Sequence, residues 1–310
     1  MRKRDFLTVD DLSVEEFSKL LDAADRYKAE RGRLRLLDGR SVALVFEKPS
    51  TRTRVSFEVA VHELGGYPLP LAGGDLQIGR GETIEDTGRV LSRYVHAIVL
   101  RTFAQETLER LARASTVPVV NALSDHAHPV QVLADMQTVR ERKGRLAGLR
   151  LAYLGDGNNV AHSLLEAGGL LGMHVVVATP SGYEPIRQVV RRASTLAARS
   201  GGTVEVTNDP VAAAKGADVL YTDVWASMGQ ENEAEDRALI FKPFQLNVEA
   251  LAVAADDAIV LHCLPAHRGE EITAEVIDGP SSAVFDQAEN RLHTQKALLA
   301  LLLTGDPDPR

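Results

Sequence analysis

The feature that most constrains the fold of this chain is a regular alternation of short apolar runs with longer helix-like segments. Apolar runs rich in β-branched residues predict strands. These runs are Ser41–Glu47, His96–Arg101, Val117–Asn121, Leu149–Leu154, Met173–Ala178, Thr203–Thr207, Val219–Val224 and Ala258–Leu261. Because strands that alternate with helices are typical of parallel sheets, the sequence predicts an α/β fold.

Apolar residues at helical spacing fill several of the intervals between the strands. The segments with this spacing are Val14–Arg31, Val55–Leu64, part of Arg80–Leu91, Pro129–Lys143 and Gln287–Leu303. A glycine-flanked segment at 144–148 separates one of these helices from the next strand, as expected of a hinge. Since 310 residues suffice for two domains of average size, we expect two α/β domains with their boundary in this segment.

The composition narrows the range of partners. A formal net charge of −8 argues against a general attraction to nucleic acid or to an anionic membrane. The single cysteine, Cys263, excludes an intrachain disulfide and fits a reducing compartment. The first residues are charged, and the sequence has no apolar run long enough to cross a bilayer, so we expect a cytoplasmic protein.

A candidate anion site follows the first predicted strand. Ser50, Thr51 and Thr53 bring hydroxyl groups to the predicted start of a helix. Arg52 adds a guanidinium group, which pairs with a phosphate as no lysine does. The unpaired N–H groups and the dipole of a helix start also favour a phosphate. The alternative is that a hydroxyl only caps the helix and that the arginine is solvated.

Three further polar residues of the first half lie after a strand or before a helix: Arg101, His128 and Gln131. A lone histidine at a helix start more often caps or packs than binds a ligand. Together with Arg52, however, the three residues offer donors to a phosphate and to a carbonyl oxygen. Polarising an acyl phosphate requires both kinds of contact.

In the second half, polar residues again follow predicted strands. Asn159 lies in the first turn, and Asp223 ends a strand with Ser227 and Met228 close behind. A carboxylate, an amide and a hydroxyl group suit an amino acid with two charged ends. Taken alone, Asp223 is more simply a cap or a surface charge, and Cys263 a small buried hydrophobe. The glycine turn at 155–159 leaves a nicotinamide-dependent dehydrogenase as a weak alternative, because its dinucleotide fingerprint is incomplete.

Over essentially its whole length the chain resembles the aspartate/ornithine carbamoyltransferases. The segments Phe46–Arg54 and His128–Gln131 resemble the carbamoyl phosphate signature of that family. The segments Asp223–Gly229 and His262–Pro265 resemble its ornithine branch. Val55 stands where the family often has an aromatic residue, but this departure removes no group that binds a ligand.

The resemblance implies a role for each candidate residue. For carbamoyl phosphate it implies Ser50, Thr51, Arg52, Thr53, Gln77, Arg101, His128, Gln131, Cys263, Leu264 and Arg291. For ornithine it implies Asn159, Asp223, Ser227 and Met228. The catalytic residues would be Arg101, His128 and Cys263, and Gln77 would reach the ligand from a neighbouring subunit of a homotrimer.

The implied fold is α/β, with two doubly wound parallel-sheet domains and the active site in the cleft between them. Residues 1–145, with a last helix at 287–304 packed back onto them, would bind carbamoyl phosphate. Residues 146–286 would form a Rossmann-like domain for ornithine. The implied reaction transfers the carbamoyl group of carbamoyl phosphate to the side-chain amine of L-ornithine, giving L-citrulline, without a metal or redox cofactor.

Several alternatives stay open at this point. Putrescine or acetylornithine are other possible acceptors, although Asp223 with Ser227 favours a free amino acid. An aspartate acceptor is less expected, because the segment Gln77–Glu82 lacks the lysine usual in that branch. A non-catalytic homologue is a third alternative. The sequence does not distinguish arginine synthesis from citrulline breakdown.

Overall fold

A computed structural model describes residues 3–32, 34–73, 81–226 and 231–309 of the chain. These residues form two compact units, each with its own sheet. Unit 1 runs to Gln137 and resumes at Glu289, and unit 2 comprises Thr138–Ala288. Within the described ranges, every helix is too short or too polar to span a bilayer.

Unit 1 is a four-stranded parallel sheet with helices between its strands. Its elements are α1 (Val14–Ala29), β1 (Ser41–Phe46), α2 (Thr51–Glu63), β2 (Tyr67–Ala72), α3 (Ile84–Leu91), β3 (Ala97–Arg101), α4 (Gln105–Ala114) and β4 (Val119–Leu123). The strand order is β2-β1-β3-β4. Helix α5 (Pro129–Lys143) follows, and the chain leaves unit 1 within it.

Unit 2 is a five-stranded parallel sheet. Its elements are β5 (Arg150–Leu154), α6 (Asn159–Leu170), β6 (His174–Ala178), α7 (Arg187–Ser200), β7 (Thr203–Thr207), α8 (Pro210–Ala214), β8 (Val219–Thr222), α9 (Ala234–Phe241), α10 (Val248–Ala252), β9 (Ile259–His262) and α11 (Ala274–Ile277). The strand order is β7-β6-β5-β8-β9. Helix α12 (Val284–Thr304) begins in unit 2 and ends in unit 1.

The predicted α/β class is confirmed, and both sheets are doubly wound: in each, the chain adds strands on one side of the first strand and then on the other. Helix α5 and strand β7 have the predicted bounds. The compact units divide inside the long helices α5 and α12. The predicted domain limits, 1–145 and 146–286, therefore stay a prediction.

One strand was not predicted. Strand β2 has the sequence Tyr-Pro-Leu-Pro-Leu-Ala, and two prolines in six residues argue against a strand. Among the described residues it is nevertheless an edge strand, paired with β1, where Pro68 lies opposite Val42 and Pro70 opposite Leu44. An edge strand tolerates proline because half of its N–H groups face away from the sheet.

Two predicted bounds were wrong for a local reason. The strand predicted at Val117–Asn121 is β4, Val119–Leu123; Pro118 has no N–H to donate and contributes only its carbonyl oxygen, to Ile98 N at 2.9 Å. The helix predicted from Val55 begins at Thr51, because the side chain of Ser50 accepts a hydrogen bond from Thr53 N and caps it.

Candidate active site

The strand order places the candidate residues of unit 1 where α/β proteins bind ligands. In an open parallel sheet that place is the carboxyl end of the strands at which the order reverses. In unit 1 these strands are β1 and β3. The segment that opens α2 follows β1, and Arg101 is the last residue of β3, paired with Phe46. The β3–β4 register shifts at Arg101, an irregularity of the kind that redirects a side chain.

The start of α2 has the properties of an anion site. Ser50 is its N-cap, and Thr51 and Arg52 are exposed in its first turn. Arg54 points elsewhere, because its guanidinium donates to Glu58 Oε1 at 2.7 Å. Within the described residues Arg52 makes no ion pair, so its charge stays available beside the N–H groups of the first turn.

A buried hydrogen-bond network joins three of the predicted residues. Arg291, on α12, donates to Thr53 Oγ1 at 2.8 Å and to Gln131 Oε1 at 2.5 Å. All three side chains are at most 4% exposed. The network joins α2, α5 and α12, which lie far apart in the sequence. No local sequence pattern could therefore reveal it. The predicted grouping of these residues is therefore present in unit 1.

His128 and Arg101 add two more buried donors to unit 1. Burial, together with the positive charges of Arg291 and Arg101, lowers the pKa of His128 well below its ordinary value of 6.5. The imidazole is therefore neutral at physiological pH and has one N–H to donate. A neutral donor beside two guanidinium groups can polarise a carbonyl oxygen without adding a third charge.

In unit 2 the strand order reverses between β5 and β8. Asn158 follows β5 and Asp223 follows β8, and a hydrogen bond of 2.9 Å from Asn158 Nδ2 to Asp223 Oδ2 spans this point. The carbonyl oxygen of the same Asn158 side chain accepts from Val160 N and Ala161 N, which caps α6. Asn158 was missed in the sequence, where its neighbour Asn159 was chosen. Asn159 is the first residue of α6 and is half-buried.

Asp223 is also bonded to the only thiol of the chain. Cys263 follows β9, and its Sγ donates to Asp223 Oδ1 at 2.8 Å. The backbone N–H of Val224 donates to the same oxygen at 2.8 Å. Burial and the negative charge of Asp223 raise the pKa of Tyr153 well above its ordinary value of 10.0, so this phenol stays neutral. The Asp223 carboxylate is therefore held by three donors, Asn158, Val224 and Cys263, which follow β5, β8 and β9.

A buried pair, His262 and Glu271, supports the turn that carries Cys263. Leu264 adopts a φ of +57°, a conformation rare for a residue other than glycine. Its N–H donates to His262 Nδ1 at 2.8 Å, and His262 Nε2 lies 3.0 Å from Glu271 Oε1. Since Nδ1 accepts, Nε2 carries the proton and donates to the carboxylate. Leu264 itself is half-buried at the turn.

A second pair missed in the sequence lies next to the segment after β8. Arg237, on α9, donates to Asp156 Oδ2 at 3.0 Å and to the carbonyl oxygen of Trp225 at 2.6 Å. Burial raises the pKa of Asp156, although the guanidinium opposes that shift. The pair ties the turn after β5 to the residues that precede Ser227. Ser227, Met228 and Gln77 lie outside the described residues.

The geometry of the turn after β5 accounts for its glycines. Gly155 has a φ of +145°, which favours glycine. A Cβ on Gly157 would lie 2.3 Å from Pro185 N, so the backbone of the next loop requires glycine there. Close packing thus explains the feature on which the dehydrogenase alternative rested.

Two clusters among the described residues have the composition of a metal site: Asp223, His262 and Cys263, and His267, Glu270 and Glu271. In the first cluster both ring nitrogens of His262 are already used, one by Leu264 N and one by Glu271. A metal there would have to displace one of these bonds. The second cluster consists mainly of exposed side chains on a loop, where acidic groups are common without a metal.

The two parts of the chain match the two domains of one protein family. The family described as aspartate/ornithine carbamoyltransferase, carbamoyl-P binding domain, matches residues 4–141, and its Asp/Orn binding domain matches residues 147–302. An ornithine carbamoyltransferase of Parafrankia sp. is 64% identical over 98% of this chain and 97% of its own length. An anabolic ornithine carbamoyltransferase of Pyrococcus furiosus is 56% identical over 97% of both chains.

A solved structure supports the same relationship. The ornithine carbamoyltransferase from Pyrococcus furiosus superposes with a TM-score of 0.95 and 56% identity, covering 98% of each chain. The fold and the candidate site define a two-unit α/β protein with a buried cluster of donors in unit 1 and a carboxylate–thiol pair in unit 2. The chain belongs to the aspartate/ornithine carbamoyltransferase family, and it is therefore an enzyme of the carbamoyl transferase class.

Proposed function

We propose that the chain transfers the carbamoyl group of carbamoyl phosphate to the side-chain amine of L-ornithine, giving L-citrulline and phosphate. The observation that carries the proposal is the buried donor cluster of unit 1, in which Arg291 links Thr53 to Gln131 beside the first turn of α2. The acceptor is assigned as ornithine because relatives of 56–64% identity are ornithine carbamoyltransferases. The anabolic name of one of them favours a role in arginine biosynthesis.

The phosphate of carbamoyl phosphate is proposed to lie at the start of α2. Its contacts would be Ser50, Thr51, Arg52 and Thr53, with Arg291 behind them. Backbone N–H groups and a guanidinium stabilise the phosphate as its negative charge grows on leaving. This part of the proposal rests on the exposed position of Arg52 and on the cap that Ser50 provides.

The carbonyl oxygen is proposed to be held by Arg101 and His128, with Gln131 contacting the carbamoyl group. As the amine attacks, a C–N bond forms, negative charge develops on this oxygen, and the C–O bond to phosphate then breaks. The neutral amine loses one proton in the process, and the departing phosphate takes it up. The bonds and the proton balance without a redox cofactor.

Ornithine is proposed to bind through Asn159, Asp223, Ser227 and Met228, with Cys263 and Leu264 against the carbamoyl group. Its side-chain ammonium has a pKa near that of lysine, about 10.4, so it must lose a proton before it attacks. Asp223 and Cys263 offer a carboxylate and a thiol 2.8 Å apart for orienting the amine and its proton. The fixed Leu264 turn supports this role, because it holds the thiol in one place.

The quaternary structure and location extend the proposal. The resemblance to the family supports a homotrimer in which Gln77 contributes to the site of a neighbouring subunit, and the single cysteine suits a cytoplasmic location. Light scattering tests the trimer. Mixed refolding of Gln77→Ala and Arg52→Ala chains tests the sharing of sites: mixed trimers should recover part of the lost activity, and none recovered would exclude it.

The function itself is tested by the acceptor. Purified protein is supplied with carbamoyl phosphate and, in parallel, with ornithine, acetylornithine, putrescine or aspartate. Carbamoylated product and released phosphate are both measured. We expect ornithine to give citrulline and phosphate in equal amounts, far faster than the other three amines. A faster rate with another amine would reassign the acceptor, and no product with any of them would contradict the transferase function.

A further inference from the structure

We propose that Asp135, a buried carboxylate of α5, is a positioning residue for carbamoyl phosphate and acts through the carboxamide of Gln131. The inference rests on the proposed function, because Gln131 is one of the residues assigned to that substrate. Asp135 itself belongs to no part of the site described above. Its place in the hydrogen-bond network suggests the role.

Asp135 lies one helical turn after Gln131, so the two side chains share one face of α5. Gln131 Nε2 donates to Asp135 Oδ1 at 2.8 Å. On the other side of the same amide, Gln131 Oε1 accepts from Arg291 at 2.5 Å, and Arg291 also donates to Thr53. One continuous chain of hydrogen bonds therefore runs from Asp135 to the first turn of α2.

Arg291 and Asp135, the two partners of Gln131, both require the same orientation of its amide. A glutamine amide has two orientations, which exchange its oxygen and its NH2 group, and hydrogen-bond partners decide between them. A guanidinium only donates, so Arg291 requires the amide oxygen. A carboxylate only accepts, so Asp135 requires the NH2 group. The opposite charges on the two sides also polarise the amide in the direction that strengthens both bonds.

This orientation decides what Gln131 presents to a ligand. The amide oxygen keeps one lone pair, and the NH2 group keeps one N–H, after the bonds to Arg291 and Asp135 are counted. These are the groups with which Gln131 can contact the carbamoyl moiety. Asp135 is 0% exposed and, among the described residues of unit 1, it is the only fully buried acid. Burying a carboxylate is costly unless it is hydrogen-bonded, and Gln131 supplies one such bond.

A double-mutant cycle tests the proposal. Asp135→Ala and Asp135→Asn are each made in the wild-type chain and in Gln131→Ala, and the dissociation constant of carbamoyl phosphate is measured by calorimetry. We expect Asp135→Ala to weaken binding about tenfold, the effect of one hydrogen bond to a charged group. Asp135→Asn keeps an acceptor oxygen and should recover most of the affinity. In the Gln131→Ala background, Asp135→Ala should change the affinity less than about twofold, because the carboxamide through which Asp135 acts is then absent.

The results distinguish failure of the positioning role of Asp135 from failure of the assignment of Gln131 to the substrate site. An equal loss in both backgrounds, no loss in the wild type, or no recovery with Asp135→Asn would overturn the positioning role. Unchanged affinity in Gln131→Ala alone would instead remove Gln131 from the proposed site. Ser115→Ala is the control, because its buried hydroxyl donates to Leu111 O at 2.8 Å elsewhere in unit 1. It should leave the affinity unchanged. If Asp135→Ala fails to fold, Asp135→Leu in the two backgrounds gives the same comparison, because it also removes the acceptor oxygens but leaves a smaller cavity.

Discussion

The thiol of Cys263 donates to one oxygen of Asp223 at 2.8 Å, while the carboxamide of Asn158 donates to the other oxygen at 2.9 Å. The carboxylate is thus fixed between the ends of β5 and β9. In the proposed site, a substrate ammonium that approached Asp223 would meet a carboxylate whose orientation is already set. The thiol is held beside it, close enough to take part in the movement of a proton.

We predict that Cys263→Ala lowers turnover and alters the pH profile for ornithine, with a much smaller effect on carbamoyl phosphate binding. Loss of a group that orients or accepts a proton costs roughly 100-fold or more in rate. The measurement is kcat and KM for ornithine between pH 6 and 10, with calorimetry of carbamoyl phosphate. A packing role for the thiol predicts a higher KM with an unshifted profile, and near-normal turnover with that profile would contradict the proton role.

Asn158→Asp separates the two functions of this side chain. Aspartate caps a helix as well as asparagine does, so α6 should keep its start. A second carboxylate would, however, repel Asp223 in place of the lost hydrogen bond. We predict that KM for ornithine rises about tenfold or more in steady-state kinetics, while circular dichroism shows the helical content unchanged.

The matched control for this change is Asn247→Asp. Asn247 caps α10, where its side chain accepts from Ala250 N at 3.0 Å, and it belongs to the same unit. This variant should bind ornithine normally. Equal effects of the two substitutions on KM would show that the cap, and not the bond to Asp223, accounts for the result.

Arg52→Ala should weaken carbamoyl phosphate binding by about 2 kcal/mol, because it removes a charge-assisted contact from the start of α2. Arg54→Ala is the matched control, since Arg54 lies on the same helical turn but forms an ion pair with Glu58. Calorimetry on both folded variants is the measurement. If Arg54→Ala weakens binding as much as Arg52→Ala does, the loss reflects general charge and not a contact of Arg52.

Much of the fold was predictable from local pattern, because buried parallel strands and amphipathic helices have distinct periodicities. Strand β2 was not, since its prolines signal against a strand and only its edge position permits them. The start of α2 was placed four residues late for a similar reason. The apolar pattern begins at Val55, but the cap at Ser50 decides where the helix starts.

The positions of candidate residues were predictable where these residues end or follow a strand, as Arg101 and Cys263 do. Asn158 was missed because nothing in the sequence sets it apart from the neighbouring Asn159, whereas the structure shows its bond to Asp223. Arg237 gave no signal at all, because its partner Asp156 is 81 residues away in the chain. Buried long-range pairs depend on how the strands are ordered, which the sequence does not state.

A buried histidine outside the site should control stability at acid pH. His293, on α12, is 0% exposed, and burial lowers its pKa from 6.5 to about 4. The charges of Lys296 and Lys28 lower it further, whereas Glu289, whose Oε1 lies 3.6 Å from Nε2, opposes the shift. The imidazole is therefore neutral in the folded chain at neutral pH and charged in the unfolded chain below its ordinary pKa.

The depressed pKa sets the sign of the effect. Above pH 6.5 the imidazole is neutral in both the folded and the unfolded chain, so its titration takes nothing from the free energy of unfolding. Between pH 6.5 and about 4 only the unfolded chain takes up the proton. The free energy of unfolding therefore falls as the pH falls, by up to about 1.4 kcal/mol per pH unit. Below about pH 4 the folded chain is protonated too and the loss levels off. We predict that His293→Gln flattens the fall of the urea midpoint across this window, whereas His62→Gln, at an exposed position in the last turn of α2, leaves it unchanged. Parallel midpoint curves for His293→Gln and the wild type would show that other groups cause the acid sensitivity.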